Sequence, residues 1–289
     1  MNILKIGLTF LSFAAFSIEA LSGTLFTKNR YGEVYSYDAD TGSFLDHFPV
    51  YSHSHRNGGI AASADRLFVS DGHRLEAYSH DGEPLYPMDG YSDFESGIAY
   101  GDGKVFSTDG YEIFVTDAQT GMMLDMFPSY MPLEESSFAY NGGTLFTKNR
   151  YDEVVSYDTD TGNMIDYFPV MTYRNGGIAA SADQLFMGDG DRLIAYSHEG
   201  QPLYSTDGYS RYESGVAYGD GKVFSTDGYE IFVTDAQTGM MLDSFLSMDG
   251  MLEESSFAYV PSASEVPVPA AAWLFGSALM SLGLARRRK

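Results

Sequence analysis

Apolar and polar residues alternate over short segments along most of the chain, and glycine-containing turns separate these segments. In one stretch, Lys104–Ser107, Glu112–Thr116 and Met123–Phe127 carry alternating apolar or β-branched residues, with Asp109-Gly110 and Thr120-Gly121 between them. Such alternation between Asp-Gly and Thr-Gly turns is typical of antiparallel hairpins. The pattern therefore predicts short β-strands joined by tight turns.

The pattern repeats on two scales. Gly101–Asp125 recurs unchanged as Gly219–Asp243, and Gly23–Tyr31 returns as Gly143–Tyr151, so the region is a near-tandem duplication. Within each half, an apolar pair marks the same strand at intervals of about 40 residues: Leu25-Phe26, Leu67-Phe68, Val105-Phe106, Leu145-Phe146, Leu185-Phe186 and Val223-Phe224. Four strands in a unit of this length are typical of a β-propeller blade. The sequence therefore predicts an all-β, six-bladed β-propeller of four-stranded blades over residues 21–260, in halves of about 23–142 and 143–260.

The two ends of this region carry complementary parts of one blade. Inside the chain, Glu134–Tyr140 is followed after Asn141-Gly142 by Gly143–Phe146. The last unit stops at Glu253–Tyr259, and the first unit begins at Gly23–Phe26. A strand from the C-terminal end is therefore predicted to pair with the N-terminal strands, which closes the ring and leaves no unpaired edge at the seam.

The first 20 residues have the pattern of a secretory signal peptide. Lys5 precedes an apolar run, Ile6–Phe16, and the segment ends on the small residue Ala20. This order of a basic start, an apolar centre and a small-residue end predicts export and cleavage after Ala20.

Residues 261–289 form a predicted linker followed by a tail in three parts. The tail consists of a short proline motif (Pro267, Val268, Pro269), an apolar segment over 270–285 predicted as a transmembrane helix, and a basic cluster (Arg286, Arg287, Arg288). A plain membrane anchor is the alternative, although Ala270–Ala285 is shorter than the roughly 20 residues that a spanning helix usually needs.

This tail closely resembles the PEP-CTERM sorting signal, which exosortase systems of Gram-negative bacteria process. The resemblance covers only the tail, and Val268 stands where that family usually has Glu. It implies an exosortase-type sorting protease as partner and a transient stay in the inner membrane. The final location it implies is the cell surface or the extracellular matrix.

Charge and composition narrow the function classes. The chain has 17 basic and 40 acidic residues, a formal net charge of −23, and the predicted signals hold several of its basic residues. Such a charge argues against nucleic acid as a partner, because nucleic acid binding needs basic patches. The chain has no cysteine, so disulfides cannot stabilise it, but 22 Tyr and 20 Phe supply a large aromatic core.

The segment Asp117-Ala118-Gln119-Thr120-Gly121 and its equivalents at 38–42, 158–162 and 235–239 resemble repeats of the broad quinoprotein-like propeller family. The quinoprotein dehydrogenases of that family dock neighbouring blades through tryptophan. In this chain the single tryptophan, Trp273, lies in the tail, so no quinone cofactor is expected. The same segment is also a favourable turn, because Asp bonds the backbone and Gly adopts positive φ.

A second pattern points to the mouth of the central channel. Aligning the six predicted inner strands places a carboxylate or carboxamide three positions before each first apolar residue: Asn57, Glu95, Glu135, Asn175, Glu213 and Glu254. Oxygen ligands of this kind suit Ca²⁺, so these six residues are candidate ligands of a calcium ion at this mouth. Six-bladed calcium-dependent lactonases also use Glu and Asn at a central ion, a likeness of residue type alone. The more common role of such repeated turn residues is to bond backbone amides where each strand begins.

Arg30-Tyr31 and Arg150-Tyr151 end a predicted strand at a loop in both halves. They are candidate ligand contacts, with blade packing as the alternative.

Two functions follow from these patterns. The first is a non-catalytic binding or structural module that contacts extracellular polysaccharide or surface proteins. It suits the duplication, because every local site then occurs twice on opposite sides of the ring. The alternative is a calcium-assisted hydrolase or lactonase centred on the Glu/Asn ring. The near-identity of the halves weighs against it, because catalysis needs groups in distinct environments.

Overall fold

The structure of the chain is a computed structural model. It describes residues 22–50, 58–72, 74–90, 97–133, 137–149, 151–170, 176–189, 192–206, 215–248, 252 and 256–262. The predicted signal peptide and sorting tail lie outside these residues. All the regular secondary structure in the described ranges is β-strand, and these ranges contain no helix able to cross a membrane.

The strands form six four-stranded antiparallel sheets, which we number as blades in chain order. Blade 1 contains β1 (Thr24–Lys28), β2 (Glu33–Asp38), β3 (Phe44–Pro49) and β24 (Ser256–Val260). Blade 2 contains β4 (Ile60–Ala62), β5 (Leu67–Ser70), β6 (Leu75–Tyr78) and β7 (Pro84–Met88). Blade 3 contains β8 (Ala99–Gly101), β9 (Lys104–Thr108), β10 (Glu112–Asp117) and β11 (Met123–Pro128).

The second half repeats this arrangement. Blade 4 contains β12 (Ser137–Asn141), β13 (Thr144–Lys148), β14 (Glu153–Asp158) and β15 (Met164–Pro169). Blade 5 contains β16 (Ile178–Ala180), β17 (Gln184–Gly188), β18 (Leu193–Ser197) and β19 (Pro202–Ser205). Blade 6 contains β20 (Ala217–Gly219), β21 (Lys222–Thr226), β22 (Glu230–Asp235) and β23 (Met241–Leu246). The six-bladed β-propeller predicted from the repeats is confirmed.

The ring closes within blade 1. The innermost strand of this blade is β24, which pairs antiparallel with β1 in a register that joins Val260 to Thr24 and Ser256 to Lys28. The blade therefore combines the last described strand with the first three. This arrangement confirms the predicted closure by both ends of the folded region, and it pairs the inner edge of β1.

The hydrophobic core lies between blades. Each of six clusters of buried side chains joins two neighbouring blades, as where Phe26 and Val34 of blade 1 pack with Ile60 and Leu67 of blade 2. The middle strands of a blade are buried on both faces, which explains their nearly continuous apolar runs. The outer strands β3, β11 and β15 are largely exposed.

Aromatic pairs tie neighbouring blades together. Four stacked Phe–Tyr pairs have ring centroids 5.4–5.7 Å apart: Phe68–Tyr100, Phe106–Tyr140, Phe186–Tyr218 and Phe224–Tyr259. Blades 2 and 5 carry Ala62 and Ala180 at the position of these tyrosines. There the rings of His80 and His198 contact Phe26 and Phe146 at 5.1 and 4.7 Å, so the two histidines serve packing.

Candidate functional site

Strand direction divides the propeller into two faces. Each inner strand begins at one end of the ring, and the antiparallel register places the turn between the second and third strands at that same end. We call this end the upper face. The lower face carries the turns between the first and second strands and between the third and fourth.

The inner strands surround a central channel. Two cavities lie along it, of about 50 Å³ towards the upper face and about 140 Å³ towards the lower face. The first apolar residues of the six strands line both cavities: Ile60, Ile98, Phe138, Ile178, Val216 and Phe257. These are the residues on which the strands were aligned in sequence, so the alignment is correct in three dimensions.

The predicted ring of channel-mouth ligands lies outside the described residues. Asn57, Glu95, Glu135, Asn175, Glu213 and Glu254 each fall in a segment that precedes a described inner strand. Among the described residues, no group of three His, Asp or Glu side chains is arranged to hold a metal ion. The calcium site therefore stays a prediction.

A buried lysine lies beside the upper end of the channel. Lys28, at the end of β1, is 2% exposed, and its ammonium donates to the carbonyl oxygen of Gly58 at 3.0 Å. The Ser256 hydroxyl donates to the same carbonyl at 3.3 Å, so blade 1 holds the start of the blade 2 inner strand. Burial lowers the pKa of Lys28 to about 8, although the negative charge of Asp71 opposes the shift.

The second half has an equivalent buried lysine, which lies near a different carboxylate. Lys148 is 1% exposed, and its ammonium lies 3.5 Å from Asp152, which replaces Gly32 of the first half. Burial lowers the pKa of Lys148, and the charge of Asp152 opposes this. Two buried ammonium groups thus lie on opposite blades, 1 and 4, of an acidic molecule.

Exposed tyrosines mark four of the six turns on the upper face. Tyr31, Tyr111, Tyr151 and Tyr229 are between 49% and 64% exposed, and they lie on blades 1, 3, 4 and 6. Each backbone is held in the same way, because an Asn or Asp side chain two residues earlier accepts a hydrogen bond from the tyrosine N–H at 2.9 Å. The same oxygen also binds the N–H at the start of the next strand. The turns therefore present the tyrosine rings from rigid backbones.

A basic side chain accompanies one of these rings, and arginines also lie at the matching turns of blades 2 and 5. The Arg30 guanidinium lies 5.0 Å from the centre of the Tyr31 ring and donates to the Tyr31 hydroxyl at 2.9 Å. Blades 2 and 5 carry Arg74 and Arg192 at the matching turns, where their backbone N–H groups donate to the carboxylates of Asp71 and Asp189. Arg150, the fourth member of the predicted Arg–Tyr pairs, lies outside the described residues.

The lower face is built from acidic turns. In the Asp-x-x-Thr-Gly segments, the Asp carboxylate accepts hydrogen bonds from the Thr backbone and hydroxyl, as Asp117 does from Thr120 at 2.7 and 2.8 Å. These hydrogen bonds hold the pKa of Asp117 below its usual value. In the equivalent turn of blade 1, Gly42 adopts a φ of +67°, a conformation that glycine adopts without strain. These segments act as turns in the described structure.

Sequence reasoning did not single out Lys28, Lys148, Tyr111 or Tyr229. A usable signal for the lysines was present, since a lysine ends the same strand, Thr-Leu-Phe-Thr-Lys, in both halves. The signal for the two tyrosines was their position after Asp-Gly, which matches the turn position of Tyr31 and Tyr151 after Asn-Arg.

Comparison with known proteins supports the fold alone. No protein-family profile matches the chain, and no curated protein sequence matches it. A crystal structure of a protein of unknown function from Bacteroides caccae is similar, with a TM-score of 0.62 and 12% sequence identity. The match covers 83% of this chain and 99% of that protein.

Proposed function

We propose that this chain is an exported β-propeller that acts as a non-catalytic binding module, with the upper face as its binding surface. The observation that carries the proposal is the set of four tyrosines on rigid turns, Tyr31, Tyr111, Tyr151 and Tyr229, whose rings face solvent. Tyrosine supplies large contact area at low cost in side-chain entropy, so exposed tyrosines on fixed loops are typical of binding surfaces.

The ligand class that fits is an extracellular polysaccharide. Aromatic rings offer an apolar face and, in tyrosine, a polar hydroxyl, which together match the C–H and hydroxyl groups of a sugar. The two-fold arrangement places equivalent tyrosines on opposite blades, 1 with 4 and 3 with 6. A repeating polymer that reaches two such sites at once gains affinity without any new contact.

The test is glycan binding by variants of the full-length chain. Tyr31→Ser with Tyr151→Ser removes one pair of rings, and Tyr111→Ser with Tyr229→Ser removes the other. Each pair is expected to lower the affinity for the bound polysaccharide by about tenfold or more, and removal of all four is expected to abolish binding. A glycan array identifies the polymer, and affinity electrophoresis measures the change.

A matched control uses exposed methionines near the lower face. Met122 and Met240 are 63% and 64% exposed and are also related by the duplication. Met122→Ser with Met240→Ser is expected to leave polysaccharide binding unchanged. Equal losses in this control and in the tyrosine variants, or full binding by the folded four-tyrosine variant, would show that the upper face is not the binding surface.

The proposal also includes where in the cell the chain is located. The residues that support it are the predicted signal peptide (1–20) and the tail with Pro267-Val268-Pro269 and Arg286–Arg288. An exosortase-type protease removes the tail after transient insertion in the inner membrane, and the propeller then reaches the cell surface or matrix. Intact-mass measurement of the secreted chain, from Gram-negative cells with and without an exosortase, tests this step. Secretion of an uncut tail in both cells would contradict it.

A further inference from the structure

The two halves differ in one groove on the lower face. A cavity of about 300 Å³ lies between blades 5 and 6, lined by the turns of both blades. Its walls include Gln184 and the carboxylates of Asp183, Asp220 and Asp235. Lys222 also lines the cavity, but its ammonium is already paired with Asp40 of blade 1.

The equivalent groove between blades 2 and 3 holds an arginine side chain of the protein itself. Arg66 occupies the position of Gln184, and its guanidinium donates to the Tyr86 hydroxyl at 2.8 Å and to the Ala118 carbonyl at 3.1 Å. The Nε atom lies 3.3 Å from the Asp65 carboxylate. The hydrogen bond to Tyr86 is the largest of the effects that raise the pKa of Arg66. Blade 3 and blade 2 thus form a fitted receptor for a guanidinium group.

Each of those partners, like the neighbouring Asp117, has an identical equivalent in the second half, and all of these equivalents except Tyr204 line the cavity. Asp183, Tyr204, Asp235 and Ala236 are the equivalents of Asp65, Tyr86, Asp117 and Ala118. The Tyr204 hydroxyl bonds the Ala236 carbonyl, as Tyr86 bonds Ala118. Of the residues that line the cavity, Gln184 alone differs from its equivalent in the first half.

Gln184 is shorter than Arg66, but the residues around it are the same as those around Arg66. Gln184 approaches the Tyr204 hydroxyl at 3.1 Å through its amide oxygen, but it carries no positive charge to match the carboxylates. Burial, followed by the charges of Asp235 and Asp183, raises the pKa of Tyr204 to about 12. The acceptors that surround the Arg66 guanidinium are therefore present here beside a neutral side chain.

We propose that the cavity between blades 5 and 6 is a binding site for a guanidinium group from outside the chain, supplied by an arginine side chain of a partner or by a small guanidinium compound. The group would bond the Tyr204 hydroxyl, the Ala236 carbonyl and the Asp183 carboxylate, as Arg66 does with their equivalents. A planar guanidinium can donate to several acceptors in different directions at once, whereas an ammonium is a compact point charge. The site is thus selective for arginine over lysine. It lies on the face opposite the tyrosines, so its test is independent of the proposed function.

The duplication provides variants that test this site in both directions. Gln184→Arg introduces the residue of the first half and is expected to fill the cavity and abolish binding. Arg66→Gln introduces the residue of the second half and is expected to create a second site. Calorimetric titration of the full-length chain with N-acetyl-arginine amide should give one site for the original chain, none for Gln184→Arg and two for Arg66→Gln.

Three further titrants define the ligand. N-acetyl-lysine amide is expected to bind much more weakly than the arginine derivative. Methylguanidinium and an arginine-containing peptide distinguish the sources, because tighter binding of the peptide identifies a protein partner and equal binding identifies a small guanidinium compound.

Each variant introduces the residue that the other half carries at the equivalent position, so both variants are expected to fold. Unfolding midpoints check this expectation. No saturable binding of arginine by the original chain, unchanged binding by Gln184→Arg, or equal binding of lysine would overturn the proposal.

Discussion

The Tyr259 hydroxyl donates a hydrogen bond to the Asp220 carboxylate, 2.6 Å away on the neighbouring blade. Tyr259 belongs to β24, which pairs with β1, and its ring stacks on Phe224 with centroids 5.5 Å apart. The strand that closes blade 1 through its backbone is thus bound to blade 6 through one side chain. The equivalent pair in the other half is Tyr140 and Asp102, at 2.5 Å.

We expect Tyr259→Phe to lower the free energy of unfolding by about 1–2 kcal/mol, because the variant loses a hydrogen bond to a charged group and keeps the stacked ring. Urea unfolding measures the change. Tyr140→Phe is the comparison, since its strand continues into blade 4 within the chain. A Tyr259→Phe variant as stable as the original chain would show that this hydrogen bond does not contribute to closure.

The same pair predicts a pH dependence. Burial, followed by the hydrogen bond to Asp220, raises the pKa of Tyr259. The folded chain therefore holds this proton more tightly than the unfolded chain. The stabilising contribution is complete below the ordinary tyrosine pKa of about 10 and is lost as the pH rises through the higher folded-state pKa. Above about pH 10, the stability of Tyr259→Phe should fall less with rising pH than the stability of the original chain.

Gly58 is a position where no side chain fits. A Cβ at this residue would overlap the carbonyl of Ser70, a backbone group that cannot move aside without disturbing blade 2. We expect Gly58→Ala to cost about 3 kcal/mol of stability. Gly103→Ala serves as the control, because its φ of +75° is unfavourable for alanine but open space surrounds its Cβ, so about 1 kcal/mol is expected. Equal midpoints of urea unfolding for the two variants would contradict this account.

Lys28 should make stability rise with pH on the alkaline side of neutrality. Its pKa is about 8 in the folded chain, below the ordinary value of 10.5, so between these values the unfolded chain binds more protons. The burial of the charged form therefore destabilises the folded chain below about pH 8, and this cost is relieved as the pH rises towards 10.5.

Lys28→Met isolates this effect because it keeps most of the side-chain volume without the charge. The stability of the original chain relative to Lys28→Met should increase by up to about 1.4 kcal/mol for each pH unit in that window. Denaturant unfolding from pH 7 to pH 10 measures the difference. A difference that does not vary with pH would mean that the ammonium is not buried.

The predicted calcium site is tested by metal removal. If the ring of Asn and Glu side chains binds Ca²⁺ in the folded chain, EDTA should lower the thermal midpoint and excess Ca²⁺ should restore it. A ligand at about 100 times its dissociation constant adds roughly 2.7 kcal/mol when it binds only the folded state. The double variant Glu95→Gln with Glu213→Gln should lose this response. Identical midpoints with EDTA, Ca²⁺, Mg²⁺ and Zn²⁺ would rule out the ion site.

The architecture could be predicted from the sequence because the strands of each propeller blade follow one another closely in the chain. Hairpins such as β9–β10 join strands that are adjacent in the chain, so alternating residues and Asp-Gly turns report them directly. The predicted strand Lys104–Ser107 differs from the observed Lys104–Thr108 by one residue. Closure of the ring could also be predicted, because both halves contain the same segment. The copy at Tyr140 continues into the next strand of its blade, so the copy at Tyr259 was expected to pair with the first strand of the region.

The chemistry depends on contacts between blades, which sequence periodicity does not report. The burial of Lys28 is decided by Gly58, 30 residues further along, and by Ser256, at the far end of the folded region. Arg66 and Gln184 are ordinary polar residues after a turn in the sequence. The packing of the next blade decides their different surroundings. It places the Arg66 guanidinium against the carbonyl of Ala118, 52 residues further along, and it leaves a cavity beside Gln184. Local pattern thus determined the blades, whereas the apposition of neighbouring blades decided which polar groups are buried together.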